Sequence, residues 1–394
     1  MYIDKNKPLL SNLYNDDYLF RLYKYLQDNY PIYWSEYHNC WVVTDYSNII
    51  NGLKDYKQYT YKNTGSMVVR DLVTHVYEED HLITQEEKDK FFDIEEPPEY
   101  LINRKTILDY YNFCLEQGLS ENINNSIINL FNSIDSNKEI DFINYVTDKI
   151  PAITLCYMMG LDSSHVDNVL NIAKLFWESV SIKERIKRYK SAAKYIYTSQ
   201  PDIFKMVGKN IDGSVMTTEM VMRICMGFLI GGANSMTGSL PGLLHHMNEH
   251  ANEFNKVQNN NLLKNNFVQE SLRHSFTMSH LVRTSTSDHY INDIKINKND
   301  KVAFILSAGN FDKKVFGSNS YEFCIDRDYK KINLVFGHGT YRCIGQSIGM
   351  IQLEHFIDYL IINSNNIKIS KTIYKDSRDF TGATYKNILG SIIG

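Results

Sequence analysis

Helix dominates this 394-residue chain by pattern, with a small strand content set apart from it, which predicts a mainly α, α+β architecture. Three features carry that reading. Residues 97–275 place apolar side chains at helical spacing almost throughout. Residues 280–306 alternate apolar and polar positions (Tyr290, Ile291, Ile294, Ile296, Val302, Phe304, Ile305), as short strands do. No Pro-rich or Gly/Ser-rich linker and no internal repeat divides the chain, so residues 1–394 are expected to form one domain.

Near the start, Trp41-Val42-Val43-Thr44 has the β-branched and aromatic content of a strand, and Asp45 is placed to cap a following helix. Residues 62–93 are polar and aperiodic and read as a long loop, a kind of segment that in compact domains is usually functional. Pro97-Pro98 opens a helix. Further helices are expected near 120–133, 141–159, 164–180, 184–198 and 217–250. Residues 307–342 read as largely irregular, a helix follows Cys343, and short strands close the chain near 366–393.

The formal net charge of −4 offers no electrostatic reason to expect nucleic acid or an anionic membrane as partner. The most apolar run, Ile224–Ala233, is far shorter than the roughly 20 residues of a spanning helix. The N-terminal residues lack the basic and apolar regions of a secretion signal, so a cytoplasmic protein without a membrane anchor is expected. The six cysteines (Cys40, Cys114, Cys156, Cys225, Cys324 and Cys343) are scattered, with no C-x-x-C, which argues against a disulfide framework or a zinc site.

Cys343 stands apart through its neighbours. The segment Phe336-Gly337-His338-Gly339-Thr340-Tyr341-Arg342-Cys343-Ile344-Gly345 precedes a helix that is apolar on most sides and therefore buried. A cysteine at such a helix start meets unpaired N–H groups and a partial positive charge, which favour a thiolate and hence a metal ligand. Gly337 and Gly339 permit a tight turn with positive φ, and Gly345 leaves space for a flat cofactor against the backbone.

The pattern F-x-x-G-x-x-x-C-x-G formed by Phe336, Gly339, Cys343 and Gly345 resembles the haem-binding signature of the cytochrome P450 family, soluble bacterial type. The resemblance implies haem b (iron protoporphyrin IX) held through Cys343 between the cysteine-loop helix and a distal helix. Further segments fit the same family. Glu270 and Arg273, three apart on one helical face, resemble its E-x-x-R pair, whose burial shapes the cysteine loop. The family's third basic residue is replaced by Glu322 in place, with Arg327 a nearby substitute. By the same likeness Arg283 and Arg104 are expected at the haem propionates, with Tyr100 and Tyr341 standing where His or Arg is usual, and His338, Phe336, Gly337, Gly345 and Gly232 around the cofactor. Residues 229–237 resemble the distal helix, with Asn234 in place of the usual acid and Ser235 in place of threonine. That pair delivers protons in the family. Asn234 cannot release one as an acid does, although it can orient water.

The resemblance implies a monooxygenase that takes O2 and NAD(P)H electrons through a ferredoxin and ferredoxin reductase to oxidise a small organic substrate, in secondary metabolism and free or carried on a carrier protein. Substrate-facing residues are expected from the 65–90 loop, the region near 165–195, Met226–Ser235, Met278–Val282 and Phe380–Ala383, with Ala233, Asn234, Ser235, Ser279 and Thr381 foremost. Oxidative coupling, desaturation or peroxide-driven oxidation on the same fold, and a haem sensor or carrier, are the competing readings.

Overall fold

The computed structural model describes residues 17–36, 38–61, 96–177, 181–211, 214–233, 235–275, 278–327, 333–374 and 385–393. The helices are α1 (Asp17–Asn29), α2 (Tyr46–Lys54), α3 (Glu99–Glu116), α4 (Leu119–Asn132), α5 (Lys149–Met159), α6 (Val166–Trp177), α7 (Ile182–Ser199), α8 (Thr218–Gly227), α9 (Met236–Glu249), α10 (Ala251–Asn259), α11 (Lys264–His274), α12 (Leu306–Asn310), α13 (Lys313–Phe316) and α14 (Gln346–Asn363). The strands are β1 (Ile32–Ser35), β2 (Cys40–Val43), β3 (Tyr59–Thr60), β4 (Ile140–Asp141), β5 (Asn210–Ile211), β6 (Ser214–Val215), β7 (Leu281–Ser285), β8 (His289–Ile291), β9 (Ile294–Ile296), β10 (Lys301–Phe304), β11 (Ile367–Tyr374) and β12 (Tyr385–Ile392). The mainly α, α+β expectation holds. The 62–93 loop lies outside the described residues.

Polar caps start some of the helices, at Asp45 as the sequence suggests. Asp45 accepts from the Asn48 amide at 3.0 Å to open α2, and Thr217 accepts from the Met220 amide at 3.1 Å to open α8. Two expected helices are interrupted. The 141–159 span begins with a π turn at Ile143–Thr147 before α5, and the 217–250 span breaks between α8 and α9, where a π turn covers Phe228–Gly232. Residues 307–342 hold short helical pieces rather than irregular chain alone.

Two elements run through the core. From Met236 to Met247 every residue of α9 is buried, and α14 buries Ile348, Leu353, Phe356, Ile357 and Leu360. Phe131 of α4 stacks on Tyr359 of α14 at 4.2 Å between ring centroids. The five-stranded sheet runs β1-β2-β10-β7-β3 and seats Arg283 opposite Val302. β3 pairs Thr60 with Thr284, which brings the next residue, Tyr61, against Arg283. A second sheet, β11-β12-β4, covers the C-terminal end. Among the described residues no helix is long and apolar enough to cross a membrane.

Candidate haem site

The cysteine loop is fixed by backbone geometry. A short 3-10 turn, Leu334–Phe336, is capped by Asn333. Gly337 (φ 66°) and Gly339 (φ 74°) then take the left-handed conformations expected of them. A β-carbon at Gly339 would lie 2.3 Å from the Leu53 carbonyl oxygen, so the loop depends on glycine there twice over. The Cys343 amide donates to the Phe336 carbonyl at 2.8 Å, folding the loop back, and α14 starts three residues later with Gly345 as its cap.

Cys343 counts as exposed by surface, because one side of it opens to a cavity, while protein atoms crowd the rest. That crowding governs its acidity. Burial raises the thiol above its ordinary value, against opposing pulls from the Gly345 amide, the Arg104 and Arg342 charges and the Gln346 amide. The amides at the helix N-terminus favour thiolate as expected, but desolvation is the larger effect, so a bound metal cation would be what deprotonates the sulfur.

The cavity, about 280 Å3, lies between the two buried helices. Cys343, Ile344, Gly345, Ile348, Gly349 and Gln352 form one wall, and Phe228, Gly231, Gly232, Ser235, Met236 and Ser239 form another. Phe336, Gly337, Tyr341 and Tyr61 close one end, and Leu155, Met158, Met278, Leu281 and Leu306 add apolar surface. The glycines divide their work. A β-carbon at Gly231 or Gly345 would meet nothing within 4 Å, whereas one at Gly232 would press on Leu155 at 2.8 Å. Gly231 and Gly345 thus leave a slot, and Gly232 lets the π turn pack.

A basic and phenolic cluster borders the slot. Arg283 is buried, with its guanidinium carbon 3.5 Å from the Tyr61 ring centroid and Nη1 donating to the Val282 carbonyl at 2.8 Å. Among the described residues no carboxylate pairs with it. Arg104 Nη1 donates to the Tyr100 hydroxyl at 3.0 Å. Tyr341 bridges the two arginines, with ring centroids 4.6 Å from Tyr100 and 4.7 Å from Tyr61. His338 sits off the wall, and its two ring nitrogens find no hydrogen-bond partner among the described residues.

Behind the loop lies a buried ion network. Arg273 donates to Glu270 from Nε and Nη2, each at 2.7 Å, and Arg327 Nε donates to Glu270 Oε1 at 3.2 Å. Arg327 therefore provides the third basic group, while Glu322 contributes only its carbonyl, to Arg273 and Arg327 at 2.9 Å each. Burial raises the Glu270 carboxyl, but its bonds to Arg273 and His274 prevail and hold it well below the usual carboxylate range. The network reaches the cysteine loop through Asn310. Arg273 Nη1 donates to the Asn310 carbonyl at 3.0 Å, Asn310 Oδ1 accepts from the Leu334 amide at 2.8 Å, and Asn310 Nδ2 donates to Asn333 at 2.9 Å.

Most expected site residues converge here: Cys343, Phe336, Gly337, Tyr341, Gly345, Gly232 and Ser235 on the wall, and Arg104, Arg283 and Tyr100 just behind it. Two expected substrate-facing residues do not reach it. Ala233 is fully buried in the core, and the Ser279 hydroxyl pairs with His280 Nδ1 at 2.8 Å, leaving its neighbour Met278 on the wall. Among the described residues the wall includes none from 165–195, and Leu155 and Met158 stand there. Asn234 and Thr381 lie outside the described residues. Tyr61, Ser239, Gln352 and Asn333 were not singled out in the sequence.

A slot floored by glycine, a single cysteine thiol in its wall and, among the described residues, a buried cation without a carboxylate partner suit a flat, anionic macrocycle carrying iron. These are the parts of a haem-thiolate protein. The comparisons with known proteins agree. Residues 113–363 match the profile of the Cytochrome P450 family, and the chain belongs to that family. Cytochrome P450(MEG) of Priestia megaterium is 23% identical over 352 residues, covering 84% of this chain and 83% of the relative. The steroid C26-monooxygenase of Mycolicibacterium smegmatis is 22% identical over 281 residues, covering 65% and 68%. Among solved structures, cytochrome P450 CREJ in complex with (4-ethylphenyl) dihydrogen phosphate superposes with a TM-score of 0.78 at 18% identity, over 99% and 100% of the two chains. CYP109E1 from Bacillus megaterium, solved with testosterone, gives 0.77 at 15% identity over 95% and 99%. The protein is a monooxygenase of the oxidoreductase class, and its prosthetic group is haem b.

Proposed function

We propose that this monooxygenase hydroxylates a small, largely apolar organic molecule of secondary metabolism, free or held on a carrier protein, with NAD(P)H electrons arriving through a reductase and a ferredoxin. The observation that carries the substrate class is the cavity lining: Phe228, Met158, Met278, Leu155, Leu281 and Leu306 offer apolar contact, and among the described residues the hydroxyls there are those of Ser235, Ser239, Tyr61, Tyr111 and Tyr341. Haem bound through a thiolate supplies dioxygen activation.

The chain's residues prepare that chemistry. Cys343 is the iron ligand, and Arg283 and Arg104 with Tyr100 and Tyr341 hold the propionate edge. Ser235, on the opposite wall, holds a proton or a water at its hydroxyl. The apolar wall excludes bulk water and leaves the substrate carbon against the slot. Arg342, beside the ligand cysteine, faces the docking ferredoxin. Arg342→Glu is expected to slow first-electron transfer in stopped flow while substrate affinity stays unchanged; equal rates would refute the docking assignment.

Asn234 favours a second reading, in which oxidation proceeds without insertion of an oxygen atom. Turnover under 18O2 separates the two: labelled product supports hydroxylation, and unlabelled product supports coupling or desaturation.

A further inference from the structure

We propose that a buried file of polar side chains along one face of α9 carries protons from the surface at His250 to the cavity. The inference rests on the monooxygenase reading, in which dioxygen cleavage consumes protons that Asn234, an amide, cannot release.

Ser235, Ser239, Gly242 and His246 follow one another at helical spacing and so share one face of the helix. Ser235 and Ser239 line the cavity. At Gly242 the missing side chain leaves a notch: a β-carbon there would lie 2.4 Å from Ser275 Oγ and 3.5 Å from Ser271 Oγ. The Ser271 hydroxyl pairs with His246 Nδ1 at 2.9 Å. The His246 ring lies 5.6 Å from that of His250, which is partly exposed and stacked on Phe323 at 4.2 Å. Ser239, Ser271, Ser275 and His246 are all buried, where polar groups cost free energy unless paired, and Ser275 Oγ also pairs with the Tyr385 hydroxyl at 3.0 Å.

Each member of the file has what a relay needs. A hydroxyl accepts on oxygen and donates its own proton, and a neutral imidazole accepts on one nitrogen and donates from the other. Burial holds His246 neutral, reinforced by His245, His274 and His250 and opposed by Glu270. The charged groups around the outer end are Glu249 and Glu253 beside His250, and Glu270 and Arg273 beside His274. His245 points elsewhere, to Thr372 and Tyr374. One proton enters at His250 from water for each that leaves Ser235 into the cavity, and no member changes its net charge.

The test uses the holoenzyme in its reduced, carbon monoxide-bound form with 15N-labelled histidine. Exchange of the His246 ring N–H with water is expected to be fast, and His250→Phe is expected to abolish that fast exchange. In turnover, Ser239→Ala is expected to lower coupled product formation by about a hundredfold and enlarge the solvent deuterium effect, with Ser239→Thr restoring both. The haem spectrum stays unchanged in these variants. Fast His246 exchange that survives His250→Phe, or Ser239→Ala turnover with a wild-type solvent isotope effect, overturns the proposal. The exchange measurement decides the route even if no substrate is turned over, so its failure is distinct from failure of the monooxygenase reading.

Discussion

Arg283 shows how one side chain prepares a site for an anion. Its guanidinium is buried, faces the Tyr61 ring and lacks a carboxylate among the described residues. Replacing it with leucine is expected to weaken haem retention by about 2 kcal/mol, the worth of a charge-assisted hydrogen bond, read as faster haem transfer to a scavenger protein. Tyr61→Phe keeps the ring and its cation contact and is expected to change retention little, while Tyr61→Leu is expected to cost about 1 kcal/mol in the same assay. The arginines, Tyr100 and Tyr341 could be read from the sequence because each lies in a short motif. Tyr61 could not, because its link to Arg283 exists only once β3 pairs with β7.

Element by element, the chain of contacts from α11 to the cysteine loop is the clearest case of one segment shaping another. Glu270, Arg273 and Arg327 are tied to Asn310, and Asn310 to the turn that begins the loop. Glu270→Gln leaves two buried guanidinium groups short of their counter-charge and is expected to destabilise the protein by about 3–5 kcal/mol, seen as a lower Tm. Asn310→Ala removes hydrogen bonds at both Leu334 and Asn333 and is expected to cost about 2 kcal/mol. If Asn310→Ala leaves both Tm and the haem spectrum unchanged, the loop is held by its glycines alone. Helices α4, α7 and α14 followed from periodicity, and α3 from Pro97-Pro98. The breaks at the π turns did not, since apolar spacing runs on through Phe228–Gly232. Arg327 was legible as a substitute for the family's third basic residue, but its bond to Glu270 spans a loop whose path no local pattern encodes.

Across the whole molecule, buried imidazoles couple stability to pH. Burial presses His245 and His274 to about 4 and His280 to about 3, and lowers His246 and His250 as well. These groups are neutral in the folded protein and protonate near 6.5 when unfolded, so the unfolded state binds more protons as pH falls from about 6.5 towards 4. Stability therefore drops through that window, by up to about 1.4 kcal/mol per pH unit for each histidine, and Glu270, depressed in the folded state, adds to the loss below its unfolded value near 4.5. Chemical denaturation from pH 7 to pH 5 is expected to show this slope, and a flat profile would mean that the imidazoles are charged in the fold. The overall class was readable from pattern because helical spacing runs through residues 97–275 and the strands cluster in sequence. The cavity between α9 and α14 was not, because its walls come from segments far apart in the chain. The proposed bond from Cys343 to iron holds the account together. The reduced, carbon monoxide-bound absorption spectrum of the haem-loaded protein tests it: wild type is expected to show the red-shifted Soret band of a thiolate ligand and Cys343→Ala to lose it, whereas an unchanged spectrum in the variant would contradict the account.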